Sequence, residues 1–381
     1  MATLGLCMIV KNEAHVIERC LESVRLLVDY VLVEDTGSND GTQKVIRDWL
    51  QRTGLSGEVI DEPWRDFGYN RSFALRTLRS RRDIDYALVM DADDTVEYDS
   101  AFDPANFKDN LAADLYFVHI EGQGKRSARP QICSNGKEFL YRGVIHEFLD
   151  TPDRAMSWGA GTLNSSTAGG IVIISRREGA RNLNPHKYRD DAALISKALK
   201  SEGDKFLRSR YTFYLANSLW DGGERQRALK VYQQRAEMGF WNQEVFVSHY
   251  HAAQLMAELN YSEEEIVGKF LRAFETCPTR AEALHGAARY CRTKERYHQA
   301  YLFAKAARDL GVCYPGDSLF LREWMYKYGV LDELSIAAYW TGRYRECFDA
   351  CATLLEGTDL PEKDRPRVEA NAANARARLS S

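Results

Sequence analysis

VLVEDTGSNDGT, Val31 to Thr42, sets an apolar run directly ahead of two acids and a glycine turn. A buried strand ending in Glu34 and Asp35, a turn through Gly37 and Ser38 and a helix opening near Gly41 form one strand-to-helix step of an open α/β sheet. In such sheets ligands bind at the carboxyl ends of the strands. Asp35 is thereby placed to hydrogen-bond a base or ribose edge. Asp40 and Thr42 have a simpler reading as helix caps.

The same alternation extends on both sides. Leu4 to Val10 reads as a buried strand and not a signal peptide, because Lys11, Asn12 and Glu13 interrupt the apolar run early. A helix follows through Val16 to Leu27. Glu58 to Ile60, Tyr86 to Met90 and Asp114 to Ile120 read as further strands. Trp158 to Gly170, rich in Gly, Ser and Thr, reads as a loop, and Ile171 to Ile174 as a late strand. Strands alternating with helices predict right-handed crossovers and a mostly parallel, Rossmann-like sheet. Beyond about Pro185 the strand signal stops, which predicts an α/β domain over 1–184 and an all-α domain over 185–381.

The second half repeats. Ala216 to Ala228, Ala288 to Ala300 and Ser335 to Cys347 each hold small residues twelve positions apart, across a helix end, a polar turn and a new helix start. Tyr297 and Tyr344 share one register just after the turn, and Ala253 to Ile266 is a weaker copy. Small residues at this spacing let paired helices approach closely, as in tetratricopeptide repeats. Gly311 to Gly329, with its Tyr-Pro-Gly turn, reads as an insertion before the last repeat. Such hairpins serve an acceptor, a partner or the pairing of two subunits as a homodimer.

ALVMDADDT, Ala87 to Thr95, carries the second chemical signal: an apolar strand runs straight into Asp91, Asp93 and Asp94. Three carboxylates within four residues repel one another unless a cation or strong donors neutralise them. Hard divalent ions such as Mg²⁺ and Mn²⁺ favour oxygen ligands and bridge to substrate phosphates.

Together these segments resemble the family 2 glycosyltransferases of the GT-A fold. CMIVKNE (Cys7 to Glu13) is similar to the family's first strand and nucleotide loop, VEDTGSNDGT to its second strand, and DADD to its DxD signature. WRDFGYNRSFAL (Trp64 to Leu75) resembles the segment that packs a helix under the diphosphate. The likeness covers about residues 4–150. It is closer to a bacterial branch in which tetratricopeptide repeats follow, a layout shared by peptide S-glycosyltransferases of the sublancin type.

That resemblance implies a nucleotide diphosphate sugar donor, UDP-linked, held by Val10, Lys11, Asn12, Glu13, Asp35, Arg71, Asp91 and Ala92. It implies Mn²⁺ or Mg²⁺ on Asp91 and Asp93, with Asp94 free to orient the sugar. The branch also carries a motif like YRGVIHE (Tyr141 to Glu147), after RPQICSNG (Arg129 to Gly136), reaching over the sugar site. Inverting transfer needs a base, and Glu147 is the candidate. His146 is the alternative base for a thiol acceptor, or a ligand to the metal or a phosphate. Related chains often carry a histidine after the late strand, where this one has Ser175, Arg176 and Arg177. His146 or His186 must then substitute, or the two arginines neutralise the diphosphate.

Bulk properties narrow the remaining choices. The 381 residues are 45% hydrophobic and 28% charged, with a net charge of -4, so nothing draws the chain globally to nucleic acid or anionic lipid. No apolar stretch approaches the roughly 20 residues of a membrane helix. Eight scattered cysteines without a CxxC pair fit a reducing cytoplasm. The acceptor is a protein or peptide, or a saccharide. The non-enzymatic alternative is a helical-repeat scaffold carrying an inactive transferase-like domain, in which decay would erase the acidic cluster first.

Overall fold

The computed structural model describes residues 1–123, 125–154, 163–311 and 318–380, and the chain divides into two compact units, Met1–Leu194 and Ile195–Ser381. In the first unit the hydrophobic pattern becomes β1 (Leu4–Val10), α1 (Ile17–Val24), β2 (Tyr30–Asp35), α2 (Thr42–Thr53), β3 (Ser56–Asp61), α3 (Phe67–Arg79) and β4 (Tyr86–Val89). β1 is buried on both faces, as a central strand with crossovers on each side must be. Leu4, Leu6, Met8 and Val10 pack with Ile17 and Leu21 of α1 and Trp49 of α2, while Cys7 packs with Ala74, Leu75 and Leu78 of α3.

After β4 come β5 (Asp94–Tyr98), α4 (Pro104–Asp109), β6 (Leu115–Gly122), β7 (Lys125–Ser134), β8 (Leu140–Arg142), β9 (Phe148–Asp150) and β10 (Ser165–Ser175). Eight strands form one sheet in the order β3-β2-β1-β4-β7-β6-β10-β5, and β8 pairs with β9 apart from it. The β3-β2, β2-β1, β1-β4 and β6-β10 pairs are parallel, and the three pairs made by β7 and β5 are antiparallel.

Two sequence expectations change here. β7 was not foreseen, because KRSARPQICS has apolar residues only near one end, yet it fills the gap between β4 and β6. The Gly/Ser/Thr stretch expected as a loop already belongs to β10 from Ser165, where Ser165, Ser166 and Thr167 pair with Leu115, Tyr116 and Phe117 of β6. An available neighbouring strand outweighs weak intrinsic preference. Residues 158–162 of that expected loop lie outside the described residues.

The second unit is helical. α5 (Lys187–Leu199) crosses the boundary, followed by α6 (Lys205–Asp221), α7 (Arg225–Ala236), α8 (Asn242–Glu258), α9 (Glu263–Thr276), α10 (Glu282–Thr293) and α11 (Tyr297–Asp309). A π-helical turn, Met325–Gly329, leads into α12 (Val330–Trp340), α13 (Tyr344–Glu356) and the closing α14 (Arg365–Leu379). The small residues of the repeat sit where neighbouring helices meet. Ala216, Ala228, Ala253, Ala288, Ala300, Ser335 and Cys347 are all buried, with Ile266 in the same place in the weaker copy. The Tyr-Pro-Gly turn expected in the insertion lies outside the described residues. Among the described residues, no helix is long and apolar enough to cross a membrane.

Candidate active site

Parallel register assembles one edge of the first unit. Val10 pairs with Asp35, and Cys7 with Val89, so the turns after β1, β2 and β4 leave the sheet side by side. The first two are tied together. Asn12, held at φ 59°, receives Asn39 N–H on its Oδ1 (2.8 Å) and donates its own N–H to Ser38 Oγ (2.8 Å). Glu13 N–H donates to Thr42 Oγ1, and Asp40 accepts from Ala14 N and Thr42 N, so Asp40 acts as a tie and cap between loops.

Asp35 is 1% exposed. Its Oδ1 accepts from the backbone N–H of Gly37 and Ser38, at 2.8 and 2.6 Å, while its Oδ2 is buried with no hydrogen-bond partner. Gly37 holds φ 107°, which a side chain would strain. A buried carboxylate oxygen left without a donor costs free energy, so an N–H or O–H of a bound base or ribose fits it. Its neighbour Glu34 lies wholly inside, taking Asn70 Nδ2 on Oε1 at 2.6 Å and leaving Oε2 without a partner. Burial pushes the Glu34 carboxyl up to about 7, against the Asn70 bond.

The acidic turn spreads its carboxylates in three directions. Asp91 is half exposed and accepts from Arg71 Nη2. Asp93 Oδ2 accepts the Gly179 N–H at 2.8 Å. Asp94 is buried where β5 opens against Ser175, and burial, then Asp91 and Asp93, push its carboxyl up to about 7. Ala92 is buried between them.

Arg71 joins this turn to the segment 141–147. Its Nε donates to Glu147 Oε1 at 2.7 Å, and both side chains are about one-eighth exposed. Helix α3 brings it there. Asp66 caps the helix by accepting Tyr69 N–H, Phe67 N–H donates to Val144 O, and Ser72 Oγ exchanges bonds with the backbone of Tyr141. The approach is close enough that only glycine fits at 68: a Cβ would stand 2.4 Å from Gly143 O. Burial works against the Arg71 charge, and Asp91 and Glu147 outweigh it. In turn Arg71 holds the Asp91 carboxyl below the usual range. His146 is exposed in a left-handed conformation, φ 52°.

Sequence reasoning did not foresee the cover that follows β10. Gly179 and Ala180 donate their N–H groups to Asp93 and to Glu13, the latter at 3.2 and 3.3 Å. Burial pushes the Glu13 carboxyl up to about 7, with the Ala180 bond opposing and Asp93 reinforcing. Arg181 stacks 4.6 Å over Phe67, pairs with Asp191 and, with Arg129, adds positive potential at Asp91. Arg176 instead donates to Thr95 Oγ1 at 3.3 Å. No regular motif marks Gly179 to Arg181; only their position after a late strand points to them.

A divalent ion fits this chemistry in part. Asp91 and Asp93 offer hard oxygen ligands from one turn, and the negative charge of Asp93 reaches the Glu13 carboxyl, which holds its proton more tightly than usual. Among the described residues no three His, Cys, Asp or Glu side chains converge, His146 included. Such a set suits Mg²⁺ or Mn²⁺ that takes most of its shell from substrate and water.

The model of glycosyl transferase family 2 matches residues 6–155. This N-terminal segment is a family 2 glycosyltransferase domain. Its sheet is that of a GT-A domain, and the helical hairpins that follow are tetratricopeptide-like. The chain is similar to a TPR repeat-containing protein of Synechococcus elongatus, 30% identical over 39% of this chain and 36% of that protein. It is also similar to an uncharacterized glycosyltransferase of Rickettsia bellii, 29% identical over 43% of this chain and 51% of that protein. The chain thus spans between a third and a half of the curated relatives it matches. Its likeness to the solved structure of TarS from S. aureus is distant, at 13% identity and TM-score 0.39 over 66% of this chain and 53% of that one.

Proposed function

We propose that this chain is a metal-assisted, inverting glycosyltransferase that moves a sugar from a UDP-linked donor to a protein, peptide or saccharide acceptor. One observation carries the reading. A single side chain, Arg71, bonds both the acidic turn expected to hold the donor diphosphate and the carboxylate expected to act as base. Donor and acceptor chemistry therefore meet within the reach of one guanidinium.

In this reading Asp35 Oδ2 accepts a hydrogen bond from the uracil or ribose, beside the Val10 to Glu13 loop. Asp91 and Asp93 hold Mg²⁺ or Mn²⁺, which supplies Lewis-acid neutralisation of the departing diphosphate. Arg71, Arg129 and Arg181 add positive charge around it. Glu147 has one oxygen fixed by Arg71 and uses the other to take the acceptor's proton as the anomeric carbon is attacked. His146 is the alternative base for a thiol acceptor. The tetratricopeptide-like unit serves the acceptor or pairs two subunits, and a cytoplasmic setting suits the reduced, buried cysteines.

The test is UDP release from a panel of UDP-sugars with Mn²⁺ or EDTA, for wild type and Asp93→Asn. Slow hydrolysis of one donor, lost in EDTA and in the variant, is the expected result. Turnover that survives both would remove the metal from the mechanism. No turnover or binding of any nucleotide sugar would leave the scaffold reading in its place.

A further inference from the structure

The insertion ahead of α12 is longer than two packed helices need, since such connections take about 2–8 residues. α11 ends at Asp309, and the π-helical turn opens only at Met325. The described part of the insertion begins at Ser318, and Ser318 to Arg322 has neither helix nor strand. From there to Trp324 the chain runs back across the first helices of three successive hairpins. Phe320 stacks on Phe213 of α6, with ring centres 6.0 Å apart. The Arg322 guanidinium stands 5.2 Å from the centre of the Tyr250 ring on α8. Trp324 packs edge-on against His285 of α10 at 5.4 Å.

The backbone of the segment is held as well. Leu319 N–H donates to Gln243 Oε1 at 3.4 Å, and Leu319 O accepts from Arg280 Nη1 at 3.0 Å. Gln243 and Arg280 are almost wholly buried and fixed in advance: they bond each other at 2.6 Å, and Glu282 holds Arg280 at 2.6 Å. An acceptor and a donor set to the N–H and C=O of one residue clamp a polypeptide backbone whatever its side chain. The fit of the chain's own segment is incomplete. Phe320 is 47% exposed and sits at φ 54°, a conformation that costs a bulky residue free energy. Beneath the segment His285 is buried with neither ring nitrogen bonded. Gln254, which donates to the Tyr250 hydroxyl, has its Oε1 buried without a partner. Polar groups buried in this way cost free energy, and a ligand that bonds them removes the cost.

We propose that Ser318 to Trp324 is a built-in, displaceable occupant of this surface, and that an extended peptide of another molecule takes its place. The segment itself gives the chemistry of that partner: an aromatic residue, a basic residue two positions on and a second aromatic residue two further. Phe213, Tyr250 and His285 receive those three side chains, and Gln243 and Arg280 hold the backbone before them. The clamp decides the class, because an N–H and a C=O on one residue recur along every polypeptide, whereas a chain of sugar hydroxyls has no such pair. The inference concerns the helical unit alone and does not depend on the transferase reading of the first unit.

The probe is a fluorescein-labelled peptide with the sequence of Ser318 to Trp324, Ser-Leu-Phe-Leu-Arg-Glu-Trp, titrated with the full chain and followed by polarisation. In one variant Ser318 to Trp324 is replaced by glycines and serines of equal number. A tethered segment competes at an effective concentration on the order of millimolar, so wild type should bind the peptide roughly tenfold or more weakly than this variant. Phe320→Ser alone should recover part of the binding. Adding Gln243→Ala to the replaced variant should weaken it about three- to tenfold, as loss of a neutral hydrogen bond implies. A peptide with its Phe and Trp changed to Ser should not bind. Helical circular dichroism reports that each variant is folded. Equal binding by wild type and the replaced variant overturns the proposal, as does a folded variant that leaves the peptide unbound. Loss of the helical signal on replacement also overturns it, by making the segment a structural strap.

Discussion

Glu34 should make the N-terminal unit lose stability as the solution is made more alkaline, and Glu34→Gln should remove that loss. The carboxyl is enclosed, holds one bond from Asn70 and leaves its second oxygen without a donor. It rises from a usual 4.5 to about 7 through burial. The folded state therefore keeps a proton that the unfolded chain releases above about 4.5. Stability then falls with pH across the interval from 4.5 to about 7 and is level on either side. At about 1.4 kcal/mol per tenfold change in affinity, the full rise corresponds to roughly 3 kcal/mol. Relaxation of the protein around the buried charge reduces this to about 1–2 kcal/mol.

The difference between wild type and Glu34→Gln isolates this group. Fixed effects of the amide, such as an unpaired N–H, cancel when the difference at pH 5 is subtracted from that at pH 8. The contributions of Glu13 and Asp94 cancel as well, because neither is among the groups acting on Glu34. Hydrogen exchange of peptides from β1 and β2, corrected for intrinsic rates, measures the opening free energy of this unit. The variant should gain about 1–2 kcal/mol on wild type between the two pH values. Parallel curves would show that Glu34 is ionised in the folded state, and the argument from burial would fail.

Two further perturbations test the junction around Arg71. Glu147→Gln should lower turnover about 10²- to 10⁴-fold, as expected for loss of a general base, while donor affinity by calorimetry changes only a few-fold; unchanged turnover would place the base elsewhere. Gly68→Ala puts a Cβ 2.4 Å from Gly143 O, so the 141–147 segment must shift. Thermal melting should show a loss of about 1–3 kcal/mol, with turnover reduced more than donor binding; wild-type behaviour would mean the segment does not need that docking.

The sequence marks residues whose signal is local. Asp35 and Asp91 stand at the ends of apolar runs, and a strand end followed by an acid is readable without knowing what lies opposite. The small residues twelve apart were readable for the same reason: helix spacing is a short-range rule. What stayed hidden depends on long-range partners. β7 is a weak strand by composition, held because β4 and β6 both need a neighbour. Gly179 and Ala180 act through backbone N–H groups, which no residue type advertises. His285 looks like any core histidine until its two nitrogens prove to have no partners.

Arg71 shows why placing residues is not yet describing a mechanism. From the sequence it was a phosphate or base contact, and Glu147 was a base some 76 residues away. The structure spends the Nε of Arg71 on Glu147 and an Nη2 hydrogen on Asp91. A guanidinium has five N–H donors in a fixed plane, so it can keep the Glu147 bond while its outer edge exchanges Asp91 for a diphosphate oxygen. Asp91 would then be released to take its share of a cation at the moment the donor arrives. Arg71→Lys should therefore fail where charge alone would succeed, because the three N–H donors of a lysine sit on one nitrogen and cannot span Glu147 and a diphosphate as the guanidinium fork does. If Arg71→Lys turned over like wild type, the fork would be irrelevant, and Arg71 would be a simple counter-charge.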